Sequence, residues 1–85
     1  MADKRKVLQS KINFYNNLIK GDKKHLENEN RPAHIKYFKE NIKWSEAARR
    51  AAEIELLILD AKELGEDTTL LKKELDDIKK KNPIL

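Results

Sequence analysis

Apolar residues recur along most of this chain at intervals of three and four, and they fall into three runs. Leu8, Ile12, Tyr15 and Ile19 follow one another at spacings of 4, 3 and 4, which is one stripe of an α-helix. Val7, Phe14 and Leu18, with Lys11 between them, widen that stripe on one side. A face so broad implies contact with two neighbours. Asp3 stands where an N-cap belongs. Gly21, with Lys20 before it, can close a helix in the left-handed conformation, yet Leu26 keeps the register of the earlier stripe. A first helix is therefore expected over about 3–29, with Gly21 as its weak point.

Asn30-Arg31-Pro32 reads as a helix start, because Asn caps well and Pro is tolerated in the first turn. No breaker follows until Gly65. Ile35, Phe38, Ile42, Ser45, Ala52, Leu56 and Leu59 form one stripe, flanked by Tyr37, Trp44 and Ala48. That predicts a second helix over 31–64, about 50 Å long at about 1.5 Å per residue. Glu66 to Thr69 offers several caps for a third helix over 68–81. Its stripe is Leu71, Leu75 and Ile78, with Leu70 beside it, and Asn82-Pro83 ends it. Ile84 and Leu85 form a short apolar tail. No run alternates as a strand does, so the chain reads as all-α, one helical domain over residues 1–85.

The second half of the middle helix sets the main question. At about 100° per residue, Ile54, Leu56, Leu57, Ile58 and Leu59 point in nearly every direction. Short turns make successive helices antiparallel. Folding the first helix back about Asn30 puts Leu8 level with roughly residue 52 and Leu18 level with roughly residue 42. Only the short third helix then reaches Ile54 to Leu64. Each large apolar side chain left wet there forgoes about 1.5–3 kcal/mol. The expectation is an antiparallel bundle completed by oligomerisation, with a second copy packed on Ile54, Leu57, Ile58 and Ala61. Ala47, Ala48, Ala51 and Ala52 would permit close approach. Arg49, on the apolar stripe, and Trp44, on its shoulder, are the next interface candidates. Arg49 either snorkels outward or meets an acidic residue of a partner helix, and a neighbouring carboxylate is expected in either case.

Composition narrows the function classes. Charged residues make up 40 % and aromatics 6 %, and there is no cysteine. Disulfides and thiolate metal sites are thereby excluded. The longest purely apolar run is Leu56 to Leu59, far below the roughly 20 residues of a membrane span. No hydrophobic segment follows the basic start, so a cytoplasmic location is expected. Net charge is +4; residues 1–45 carry eleven Lys/Arg against five Asp/Glu, and residues 46–85 carry eight against ten. Lys36, Lys39, Lys43 and Arg50 line the side of the middle helix away from its main stripe, a pattern that can follow a phosphate backbone. Trp44, Tyr37, Phe14 and Tyr15 are available to stack on bases.

His25 and His34 are nine positions apart across a helix boundary, unlike the i,i+4 pair of a helical zinc site. Glu53, Asp60 and Glu63 lack the Glu-x-x-His companion of di-iron bundles. No catalytic residue, metal site, cofactor or small-molecule substrate is expected, and no stretch resembles a known family closely enough to carry a function over. The expected role is that of a non-enzymatic interaction module (adaptor, assembly factor or inhibitor), acting as a homo-oligomer or on another protein. The alternative is a nucleic-acid-associated protein using Lys36, Lys39, Lys43 and Arg50.

Overall fold

The computed structural model describes residues 3–83 and contains three helices, α1 (Lys4–Glu27), α2 (Pro32–Glu63) and α3 (Thr69–Lys81). Ile84 and Leu85 lie outside the described residues. The molecule measures 50 × 26 × 18 Å, and its long dimension matches the length of α2. α1 and α3 each pack on α2 and not on one another. The result is a flat layer with α2 in the middle.

Local chemistry accounts for the boundaries. Asp3 caps α1, its carboxylate accepting the Arg5 backbone N–H at 3.0 Å. Gly21 does not end α1: its backbone φ is not positive, and the helix runs through it to Glu27. The single glycine costs about 1 kcal/mol in a helix interior, and the contacts of Ile19 and Leu26 on either side offset that. Nor does Asn30 cap α2. The cap is Arg31, with no side-chain bond of its own. Glu29 instead orders the connector, accepting the backbone N–H of Asn30 at 3.2 Å and of Arg31 at 3.0 Å. It also takes the Arg31 guanidinium at 2.9 and 3.1 Å. Those bonds hold the Glu29 carboxyl down at about 2.

α2 closes in a Schellman turn. Gly65 takes φ 72°, Glu66 N–H donates to the Ala61 carbonyl at 2.8 Å, and Gly65 N–H donates to Lys62 at 3.2 Å. Asp67 starts α3, accepting Thr69 N–H at 3.0 Å and the Thr69 hydroxyl at 2.6 Å. The same bonds lower the Asp67 pKa.

The expected register of α1 on α2 needs correction. Arg5 bonds Asp60 at 3.0 Å and Glu63 at 3.1 Å. Asn16 accepts from Arg49 at 2.9 Å, and His25 stacks on Phe38 at 5.5 Å. Leu8 therefore stands level with about residue 57, some five residues further along α2 than a fold about Asn30 gives. The pairing is centred near Pro32, past the middle of the connector 28–31, so α1 is shifted along α2 relative to a symmetric fold about the turn. α1 now shelters the stripe through Leu59, and α3 covers the opposite side. Ile54 is fully enclosed, and Ile58 and Ala61 are buried. The chain itself thus covers three of the four residues expected at the interface, and Leu57 stays exposed.

The two glycines separate in a substitution test. Gly21 sits in a regular helix with open space where a side chain would go, so Gly21→Ala should stabilise by about 0.5–1 kcal/mol. Gly65→Ala should destabilise by about 1–2 kcal/mol. Urea midpoints moving the same way for both would contradict this assignment.

Candidate interaction face

The candidate interface residues of the sequence part into two groups. Ile54, Ile58 and Ala61 lie under α3 and the adjoining turns of their own chain and offer no surface to a partner. Leu57 is 44 % exposed, beside Gln9, Ile12 and Arg50. Arg49 finds its partners within the chain, donating to Asn16 and lying 3.7 Å from Glu53. The carboxylate expected beside it is therefore present without a second molecule. Trp44 is half-buried and packs edge-on against Tyr15 at 5.9 Å. Its indole Nε1 is buried and has no hydrogen-bond partner among the described residues.

Because α1 and α3 flank α2 without meeting, the layer has two broad faces. On one, Ala48, Ala51 and Ala52 floor a trough of about 370 Å³ between α1 and α3. Lys11 and Tyr15 wall it from α1, Lys79 from α3, and Trp44 and Glu55 stand along α2. The short side chains leave the trough open because no third helix fills it. Along its α1 edge run Val7, Phe14 and Leu18, of which Phe14 is 58 % exposed, and Tyr37 extends the apolar surface along α2. The breadth of the α1 face predicted two neighbours; α2 is one, and the other position is open.

A heptad pattern makes this explicit. Positions 8, 12, 15, 19, 22 and 26 of α1 form the seam against α2, whereas positions 7, 11, 14, 18, 21 and 25 form an adjacent seam. The second seam reads Val, Lys, Phe, Leu, Gly, His. Lys11 makes no ion pair among the described residues, nor does Asp22, which borders this seam beside Gly21.

The basic candidates lie on the other broad face. Arg50 is engaged, its guanidinium bonding Glu74 at 3.0 and 3.3 Å and so tying α3 to α2. Lys36, Lys39 and Lys43 are exposed and border a shallow apolar groove with Pro32 and Ile35. Lys81 of α3 comes alongside Lys43 and Glu40, which the sequence could not show. Tyr37 and Trp44 lie about 120° around α2 from these lysines, so aromatics and cations do not share one strip. His34 faces Glu29 at 3.6 Å, while His25 stacks on Phe38. Among the described residues no cluster of His, Asp or Glu has a metal-binding arrangement, and no helix is long and apolar enough to cross a membrane. No protein-family model, curated protein or solved structure matches the chain.

The sorting of α2 residues is measurable. Ile54→Ala should cost about 2–5 kcal/mol, whereas Leu57→Ala should stay within about 1 kcal/mol. Comparable losses in denaturant unfolding would mean that the two side chains share one environment.

Proposed function

We propose that this protein is a non-enzymatic helical interaction module that binds another polypeptide through the face built from Val7, Phe14, Leu18, Tyr37 and the alanine trough. The observation that carries the reading is the second heptad seam of α1. Its large side chains lie outward in register although the chain has its own core. Leaving Val7, Phe14 and Leu18 exposed gains nothing for the isolated fold, and each would contribute on burial. Aromatic side chains beside small ones also suit a helical partner, because rings anchor and alanines admit a close backbone. This face replaces Ile54, Ile58 and Ala61 as the contact surface.

A photo-crosslinking residue placed at Phe14 should form protein adducts in cells. The same residue at Lys73, on the exposed side of α3, should form few. Equal yields at the two positions, or none at either, would remove the reading.

A second reading keeps a specific support. Lys36, Lys39, Lys43 and Lys81 come together from two helices without ion pairs among the described residues. Such a patch fits a phosphate backbone. If it binds duplex DNA through about four contacts, log affinity should fall with log salt at a slope near −3.6. Lys39→Glu with Lys43→Glu should abolish binding, and no association at about 50 mM salt would dispose of this alternative.

A further inference from the structure

We infer that the occupant of the aromatic face is a second copy of this chain, forming an antiparallel four-helix core from two α1–α2 hairpins, with each α3 on the outside. The inference rests on the reading of that face as a protein-binding surface, and it assigns the partner and the register.

The second seam of α1 is complementary to itself when reversed. With a two-fold axis level with Asn16, Phe14 of each copy meets Leu18 of the other, and Val7 meets His25. Lys11 comes over Gly21, where a side chain is missing and space is open. There its ammonium lies beside Asp22 of the second copy. Both charges are without ion-pair partners in their own chain among the described residues. They sit eleven positions apart on one helix, about 16 Å, so they cannot pair within it. Across the axis each copy satisfies the other twice.

The same axis fits α2 without adjustment. Asn16 stands about level with Arg49, so the axis crosses α2 near residues 49 and 50. There Ala48 of one copy faces Ala51 of the other, the pairing of small residues that lets two helices approach closely. One further turn out, Trp44 comes level with Glu55 of the second copy. The α2 seam is thus compatible with the register that the α1 seam selects. A two-fold axis also places α2 beside its own copy, so the core closes as a square of four helices. α3 lies on the far side of α2 and does not obstruct it.

Sedimentation equilibrium over a concentration series, with circular dichroism to confirm folding, tests this. Wild-type protein should form dimers and no larger species. Phe14→Glu should stay helical and raise the dimer Kd more than about thirtyfold, since Phe14 is exposed in the single chain. Lys11→Asp and Asp22→Lys should each weaken the dimer, and the double variant Lys11→Asp/Asp22→Lys should restore it. Trp44 is the single tryptophan, so its indole N–H resonance should shift with concentration in wild type and not in Phe14→Glu. A wild-type chain that stays monomeric to millimolar concentration overturns the inference, as does a dimer that Phe14→Glu leaves intact. Failure of the double reversal to rescue overturns the register. A monomer whose Phe14 crosslinks capture a different protein defeats the second copy and leaves the interaction module standing; a monomer without adducts defeats both.

Discussion

The middle helix has more apolar surface than one neighbour can cover, and the chain supplies two neighbours that cannot both sit on the same side. α1 takes the stripe from Phe38 to Leu59, and α3 takes Ile54, Ile58 and Ala61 nearly opposite. The flatness of the molecule follows from this division, because helices on opposite flanks never meet to round off a bundle. The trough over the alanines follows as well. An ordinary three-helix bundle would fill that space with side chains from α1 and α3; here they diverge, and the broad face stays open.

Ion pairs fasten the arrangement at its ends and do not drive it. Arg5 reaches both Asp60 and Glu63, with its pKa raised chiefly by hydrogen bonds to Glu63 and Asp60. Arg50 and Glu74 make a two-bonded fork between α2 and α3. All of these groups are substantially exposed, and solvent screens such pairs to small contributions. Their geometric effect is larger. The Arg5 fork and the His25–Phe38 stack fix the two ends of the α1–α2 pairing, and through them the register of the whole hairpin.

Much of the architecture was legible in the chain. Apolar spacing located three helices, and Gly65, Asp3 and Asn82-Pro83 marked ends that the structure keeps. Register was harder. The turn chemistry around Asn30 pointed to a pivot there, but the side-chain contacts along the pair centre it near Pro32, and a shift of a few residues changed which side chains needed a partner. Sequence periodicity gives faces and not offsets, so it could not tell that Ile54 and Ile58 are covered within the chain while Leu57 is left exposed. The width of the α1 face was the sounder signal, since Val7, Phe14 and Leu18 do stand outside the single chain's core. The approach of Lys81 to Lys43 was beyond reach, depending on where α3 ends against α2.

α3 itself differs in kind from the other two helices. None of its residues is fully buried, Leu70 is 81 % exposed, and its grip rests on Leu71, Leu75, Ile78 and the Glu74 fork. A helix of 13 residues has little stability of its own in water. The Schellman turn at Gly65 joins it to α2 with no other tether to α1. α3 is therefore the least deeply held of the three helices, and its detachment would bring Ile54 and Ile58 into contact with solvent. The hydrophobic belt of α2 is thus roofed by the element with the least burial of its own, and any substitution that loosens α3 would be felt first as exposure of that belt.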